Sequence, residues 1–451
     1  MFSKVLIANR GEAAVRVIRA CRDLGVRTVA VYSEADANCL HVRLADEAVC
    51  IGPAATGRSY LNVPHIVQAA LMTGAEAIHP GTGFLSESAA FAEICIGYGL
   101  TFIGPLPDTI WQLGDKARAR TVMREAGLPV MPGSDASVRS LDDAKAFAES
   151  LGYPVMLKAV NGGGGKGIRK LQSAQELVAA FPVAQAEASS AFGNPDIYLE
   201  KCIEDARHVE VQILGDSHGA IVHLGERDCS LQRRAQKVIE EAPASGLPTA
   251  VRDRICAAAV AGARAANYIN AGTWEFLVDR DDNFHFMEAN TRLQVEHPVT
   301  EAVTGVDMVR MQLEIAAGGH LPWTQEQIQF RGHAIECRIT ADDPRRNFAP
   351  DAGLVSRFDL PGGPGIRVDT HVVAGYEVPP FYDSLLAKLI SYGANREEAR
   401  VRMIRALNEY RIEGLATTVP FHERLLADPS FIAQATTTTY VERWLPTVEW
   451  V

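Results

Sequence analysis

The sequence lacks the features that mark secreted, membrane-spanning or nucleic-acid-binding chains. No window approaches the ~18 uninterrupted apolar residues that a spanning helix needs, and the apolar stretch after Lys4 is far too short for a signal peptide. Basic residues (44) are outnumbered by acidic ones (55), giving a net charge of −11. The cationic footprint that polyphosphate backbones require is therefore missing, although a local cationic pocket is not excluded. The eight cysteines are scattered, without a CxxC pair or zinc-like spacing, and read as reduced thiols in a cytoplasmic protein. Internal repeats, low-complexity tracts and long flexible linkers are absent too. What is present is 451 residues, 47% hydrophobic and 22% charged, enough for two or three globular domains.

Residues 1–114 alternate strand and helix signals in the doubly wound manner. Strands are expected at 5–8, 28–32, 47–51, 76–78 and 101–103, and helices at 12–24, 63–72 and 88–98. This Rossmann-like layer has only Gly11 after its first strand, so the GxGxxG dinucleotide fingerprint is missing. A second unit begins near Lys116, with strands at 155–160, 168–171, 198–203 and 208–214. Ser173-Ala174-Gln175-Glu176 fits a capping box that opens a helix. Helices are expected at 250–267, 300–317 and 395–410, and short strands at 333–340, 353–358 and 366–373.

Three segments carry chemistry. Gly162 to Gly167 is a glycine loop whose Lys166 is followed by Gly167, not by the Ser or Thr of a Walker A loop. The strand signal after it also rules out a Rossmann helix. A hairpin closing backbone N–H groups over phosphates fits, with Lys158 adding charge; so does a plain flexible turn. Next, the apolar segments 273–278 and 284–288 flank the turn 279–283. Pairing Val278 with His285 sets Glu275 opposite Glu288, an arrangement that asks for a cation between them, with Asn290 as a further oxygen. Two glutamates on a solvated face are the alternative. Finally, Arg292-Leu293-Gln294-Val295-Glu296 alternates, and Pro298 favours an extended chain before it. Arg292, Gln294 and Glu296 then share a face suited to holding and deprotonating a small oxyanion such as bicarbonate. An ordinary half-exposed strand fits this pentapeptide equally.

Together these segments resemble the biotin carboxylase family, a branch of the ATP-grasp enzymes. The likeness runs from Val5-Leu6-Ile7-Ala8-Asn9-Arg10-Gly11-Glu12 to Phe381-Tyr382-Asp383-Ser384, through Gly83-Phe84-Leu85-Ser86-Glu87, Gly225-Glu226-Arg227-Asp228-Cys229-Ser230 and Arg331-Gly332-His333-Ala334-Ile335-Glu336-Cys337-Arg338. It implies an α/β and α+β architecture: a Rossmann-like N-terminal domain (1–114), an ATP-grasp region (115–330, lid about 131–203) and a mixed C-terminal biotin carboxylase domain (331–446). It also implies a nucleotide site at Lys116, Lys158, Gly164, Gly165, Glu200, Lys201, Ile203 and His208, together with Glu275 and Glu288. Glu275, Glu288 and Asn290 would hold Mg²⁺ or Mn²⁺. Lys237, Arg292, Gln294, Val295 and Glu296 would bind bicarbonate, Glu296 being the general base. Arg338, with Thr82 and Gly83, would meet biotin, and Glu296, Arg292, Arg338 and Lys237 form the implied catalytic set.

The implied reaction is ATP-dependent carboxylation of biotin through carboxyphosphate. No lysine is flanked by methionines as in biotin carriers, so a biotin carboxyl carrier protein and carboxyltransferase subunits are expected as separate partners of a homodimer. A carbamoyl-phosphate-synthetase-like ligase and a non-catalytic nucleotide-binding homologue are the competing readings. Thr82 and Ala235 stand where the family usually has tyrosine and histidine, while Ala289 and Ala349 replace a methionine and a leucine. The intact metal, base and arginine set favours an enzyme retuned for a different biotinylated partner over a weakened one. Thr82→Tyr combined with Ala235→His is therefore expected to raise turnover of free biotin, and unchanged turnover would make both positions neutral.

Overall fold

The computed structural model describes residues 1–134, 137, 138, 140–159 and 168–450. Its first layer is a five-stranded parallel sheet built from β1 (Lys4–Ile7), β2 (Arg27–Ser33), β3 (Glu47–Gly52), β4 (Ala77–His79) and β5 (Thr101–Phe102), in the order β3-β2-β1-β4-β5. Helices α1 (Gly11–Asp23), α2 (Val63–Thr73) and α3 (Ala89–Gly97) connect the strands. Strand order reverses between β1 and β4, where open α/β sheets form their ligand crevice. Asn9, just past β1, ties the two loops at that crevice by donating from Nδ2 to the carbonyl oxygens of Pro80 and Thr82, both at 2.7 Å. Gly81 (φ +65°) permits this: a Cβ there would meet Asn9 atoms at 2.7–2.9 Å.

After α4 (Lys116–Glu125) comes a small unit in which α5 (Leu141–Leu151) and α6 (Ala174–Phe192) pack with an antiparallel sheet of β6 (Val155–Ala159), β7 (Ile168–Leu171) and β8 (Ile197–Lys201). It has its own core, including Val155, Leu157, Leu177, Ile197 and Leu199. The Ser173 hydroxyl caps α6 as expected, accepting from Glu176 N–H at 3.3 Å. The reciprocal bond differs from the expected box, because Glu176 accepts from the N–H of Gln172 at 2.8 Å. The glycine loop lies outside the described residues.

The body is an eight-stranded antiparallel sheet of β9 (Arg207–Gly215), β10 (Ile221–Arg233), β11 (Gln236–Ala242), β12 (Asn270–Val278), β13 (Phe284–Asn290), β14 (His333–Thr340), β15 (Ile366–Thr370) and β16 (Leu385–Gly393). The order is β13-β12-β9-β10-β11-β14-β16-β15, so the sheet continues across residue 331, the expected boundary between the second and third domains. Helix α7 (Thr249–Ala265) covers β9 and β10.

The helix expected over 300–317 is two helices, α8 (His297–Thr304) and α9 (Met308–Ala316). Gly305, left-handed at φ 73°, ends the first, and Asp307 caps the second by accepting from Arg310 N–H at 2.8 Å. The strand expected over 353–358 is two short pieces, Gly353–Leu354 and Arg357–Asp359, because the chain changes partner from residues 377–378 to residues 411–413. Among the described residues no helix is long and apolar enough to cross a membrane.

One face of β11, β14 and β16 packs Ile239, Ile335, Cys337 and Leu389 against α10 (Arg396–Glu409). The other face meets α8, where Val299 and Val303 rest on Ala242, Ala334 and Ile390. The start of α10 is fastened to the sheet by Arg396, which donates to Glu241 from Nε (2.7 Å) and Nη2 (2.9 Å), with His333 Nε2 2.8 Å away from the same carboxylate. Burial opposes ionisation of Glu241, but His333 and Arg396 outweigh it and hold the carboxyl at about 2, against an ordinary 4.5. A depressed folded-state value stabilises fully above pH 4.5 and is lost as the pH falls toward 2. Glu241→Gln is thus expected to cost about 3 kcal/mol at pH 7, with the gap to the parent narrowing in urea titrations below pH 4. A gap that holds constant would remove the ion pair from the cause.

Candidate active site

Four strands contribute one row of side chains across the sheet. Arg227 (β10) pairs with Glu210 (β9), Glu210 with Glu275 (β12), and Glu275 with Glu288 (β13). Three adjacent carboxylates repel unless cations meet them, and each has one. The fully buried Arg227 donates from Nε to Glu210, with its remaining nitrogens on Gln212 (2.8 Å), Thr300 (3.0 Å) and Thr273 (3.2 Å). Lys237 Nζ reaches Glu210 and lies 3.0 Å from Glu275. Lys116 Nζ is 3.4 Å from Glu288, which is one-third exposed.

Two β-bulges create this geometry. Gln232 pairs with Lys237 but Leu231 with Ile239, so Val238 is an extra residue that re-aims Lys237 toward the row. On the hairpin, Val278 pairs with Phe284 rather than the expected His285, and a register shift past Phe286 restores the Glu275–Glu288 opposition. The residues expected to face each other do so, through a different register. Among the described residues no one side chain bridges them: Lys237 lies 3.0 Å from Glu275, His208 Nε2 lies 2.8 Å from Glu275 Oε2, and Lys116 lies 3.4 Å from Glu288. His208 is further fixed by Gln232, 2.6 Å from its Nδ1.

The segment expected as an oxyanion clamp is not extended throughout, although the alternation suggested it. Glu296 sits in a turn (φ −80°, ψ 8°), and His297 already opens α8. Pro298 lies in the first helical turn, where its missing N–H leaves no bond unmade. The side chains still converge. Arg292 Nη1 donates to Gln294 (3.0 Å), Gln294 Nε2 donates to Glu275 (2.9 Å), and Lys237 Nζ lies 2.6 Å from Glu296 Oε1. Arg292 is also held by Glu87 (2.9 Å) and by the Asn290 amide oxygen (3.0 Å), while Asn290 Nδ2 donates to Glu275 (2.8 Å). The Val295 carbonyl accepts from Lys388 Nζ at 3.1 Å. Arg338 donates from Nε to Glu240 (2.5 Å) and from Nη2 to Glu296 (2.8 Å).

Burial disfavours charge on Glu275 and Glu296, yet both carboxyls are held below the usual range. Lys237 and His208 do this for Glu275; Lys237, Arg338 and Arg227 do it for Glu296. Burial likewise works against the Lys237 ammonium, but Glu210, Glu275 and Glu296 push its pKa well up. For Glu210 burial wins over Arg227 and Lys237, and its carboxyl is raised. Glu296 is therefore an anion flanked by cations, the state a general base needs before reaction.

On β6 and β8, Lys158 ion-pairs with Glu200, and Arg120 Nη1 is 3.4 Å from the same carboxylate. Lys201 points the other way, as strand alternation requires: its ammonium donates to the carbonyls of Gly152 (2.7 Å) and Tyr153 (3.3 Å). Ile203 follows the end of β8. Thr82 and Gly83 lie in the loop tied by Asn9, and no hydrogen bond among the described residues joins them to Arg338. Gly164 and Gly165 fall outside the described residues. Sequence reasoning missed Arg120, Glu87, Glu210, Arg227 and Glu240. For Glu210 there was a signal: polar His208, Glu210 and Gln212 alternate with Val209, Val211 and Ile213, on a strand where burial is otherwise apolar.

Glu275, Glu288 and Asn290 offer hard oxygen atoms in adjacent positions, with Glu288 opening to solvent, and this donor chemistry fits Mg²⁺ or Mn²⁺ beside phosphate oxygens. His208, Glu210 and Glu275 also converge within 4.8 Å, but Lys237 already compensates the two carboxylates.

Comparison with known proteins agrees along the chain. Residues 1–110 match the biotin carboxylase N-terminal domain, residues 115–324 the ATP-binding domain of carbamoyl-phosphate synthase L chain, and residues 336–443 the biotin carboxylase C-terminal domain. A biotin carboxylase of Nostoc sp. is 53% identical over 441 residues (98% of this chain, 99% of that protein). Biotin carboxylase 1 of Bacillus subtilis is 52% identical over 445 residues (98% and 99%). The crystallised biotin carboxylase domain dimer of Hydrogenobacter thermophilus 2-oxoglutarate carboxylase, in complex with MgADP, ADP and bicarbonate, superposes with a TM-score of 0.97. It is 49% identical, with 100% of this chain and 99% of that one covered.

The row of carboxylates makes one energetic prediction. Arg227→Met leaves the buried Glu210 without its in-row cation and should cost about 3–5 kcal/mol in chemical denaturation. Adding Glu210→Gln should recover part of that loss; a double variant as unstable as the sum of the singles would show that the two side chains do not interact.

Proposed function

The chain belongs to the biotin carboxylase family, and on that premise we propose how its residues divide the work of carboxylating biotin with ATP and bicarbonate. The observation that carries the reading is the Lys237 ammonium shared by Glu275 and Glu296, with Arg292 and Arg338 alongside. Bicarbonate is held by Arg292, Gln294, Lys237 and the backbone at Val295. Glu296 takes its proton, and the bicarbonate oxygen attacks the γ-phosphorus of ATP as the bond to ADP breaks, giving carboxyphosphate. The cations that keep Glu296 ionised also make it a weak base, so proton transfer accompanies phosphoryl transfer instead of preceding it.

Lys116, Lys158, Glu200 and His208 line the nucleotide side, with Lys201 and Ile203 contributing main chain and Gly164 and Gly165 the phosphate loop. Glu275, Glu288 and Asn290 would hold Mg²⁺ or Mn²⁺, which when bound offsets phosphate charge. Carboxyphosphate then releases CO₂ and phosphate, and phosphate removes the ureido N–H proton of biotin. Arg338 stabilises the charge on the ureido oxygen while the nitrogen takes up CO₂, near the loop of Thr82 and Gly83.

We assign domains at 1–114, 115–330 and 331–446; the separate core around β6, β7 and β8 supports a lid near 131–203. The biotin would be presented by a biotin carboxyl carrier protein, with carboxyltransferase subunits consuming the product and a homodimer as the working unit.

Glu296→Ala tests the base. Bicarbonate-dependent ATP cleavage is expected to fall by about 10²–10⁴-fold, with ATP binding by calorimetry nearly intact. Turnover equal to the parent would take Glu296 out of that role.

A further inference from the structure

Glu240 (β11) and Glu336 (β14) face each other directly across the ladder, and both are fully buried. Directly opposed like charges repel, and hydrogen bonding does little to relieve it here. Among the described residues neither oxygen of Glu336 has a hydrogen-bond partner, nor does Glu240 Oε2. Only Glu240 Oε1 is engaged among the described residues, by Arg338 through Nε with Nη2 2.5 Å away.

The charged groups facing the pair are Arg338 from β14, Lys388 from β16, Glu296 from the entry to α8, and Lys237 from β11 itself. Lys388 is already committed to Glu12 at 3.0 Å and to the Val295 carbonyl at 3.1 Å. Two buried carboxylates so placed hold one proton between them. It belongs on Glu336, which no donor among the described residues reaches, while Arg338 holds the charge on Glu240. Burial raises both carboxyls: Glu240 to about 7 with Arg338 opposing, and Glu336 well above the ordinary carboxylate value with Glu240 adding to the rise.

We propose that Glu240 is a positioning residue for the biotin half of the reaction, holding Arg338 through Nε so that Nη1 stays free for the ureido oxygen, with Glu336 behind it as a neutral acid. The inference rests on the reading of Arg338 as the biotin arginine. Its physical basis is the fork geometry of guanidinium. With Glu296 as its only anion, Arg338 would settle on that carboxylate with two nitrogens, occupying the base and its own donors together. Glu240 Oε1 takes Nε and also lies 2.5 Å from Nη2, Nη2 donates to Glu296 at 2.8 Å, and among the described residues Nη1 makes no hydrogen bond.

The test is steady-state kinetics on the full chain, with free biotin, bicarbonate and ATP varied separately, for Glu240→Gln, Glu240→Asp, Glu336→Gln and Arg338→Gln. Glu240→Gln should raise KM for biotin about tenfold or more, leave KM for bicarbonate and ATP within about twofold, and be partly rescued in Glu240→Asp. An unchanged biotin KM in Glu240→Gln, where Arg338→Gln raises it, overturns the positioning role alone. An unchanged biotin KM in Arg338→Gln overturns the underlying reading of Arg338. Infrared spectroscopy supplies a second measurement even if Glu240→Gln fails to fold. The parent should show the carbonyl band of a protonated buried acid, lost in Glu336→Gln; a parent without that band overturns the neutral acid.

Discussion

The ammonium of Lys237 is the constraint around which the rest of the molecule is arranged. Two strands and one helix entry bring Glu210, Glu275 and Glu296 to the same ammonium, and without a shared cation those buried carboxylates would protonate or force the sheet apart. The bulge at Val238 is what allows it. In a regular strand Lys237 would lie on the face of Ile239, which packs against α10. One inserted residue turns an apolar-face position into the centre of an acid cluster.

The same economy recurs around the cleft. Lys116 is paired with Glu288, Lys158 with Glu200, Arg292 with Glu87, and Arg338 with Glu240 and Glu296. Buried ion pairs seldom stabilise a fold relative to apolar packing, because desolvation cancels most of the Coulomb gain. Their use here is orientation: each cationic head is held in a fixed place by its carboxylate partner. Sites that stabilise developing charge work through dipoles and charges already in place, so the cost of arranging them is met on folding, before the reaction begins.

How far the sequence revealed this depended on whether a feature was local. Strand and helix positions in the first layer follow from period and caps, and they agree with the structure to a residue or two. The break at Gly305 was also written locally, in a glycine and an aspartate two positions apart, but an apolar period running through it masked the signal. The hairpin acids were found although the assumed register was one residue out, because a bulge leaves no mark in a single sequence. Arg227, Glu87 and Glu240 were invisible as site residues, since their partners are 17 to 205 residues away and no spacing encodes such pairs. Resemblance to a family supplied residue roles that composition and periodicity could not.

The placement of Glu296 shows why the N-terminal layer matters to a carboxylate it does not contain. Glu296 stands at the entry to α8, so its accuracy is that of the helix. Helix α8 is pinned by apolar contacts of Val299 and Val303 to the sheet, and by Glu301, which accepts from Arg16 of α1 at 2.9 Å and from Arg367 of β15 at 2.7 Å. Just before it, Lys388 grips the Val295 carbonyl while itself resting on Glu12 of α1. The helix that Glu296 opens is thus clamped between the body sheet and α1. A rotation of the first layer would move Arg16 and Glu12 together, and with them the turn that sets the carboxylate against Lys237. Reacting groups in any site need placement within about half an ångström, and the fixed position of Glu296 comes from a layer whose nearest anchors, Arg16 and Glu12, are buried charges.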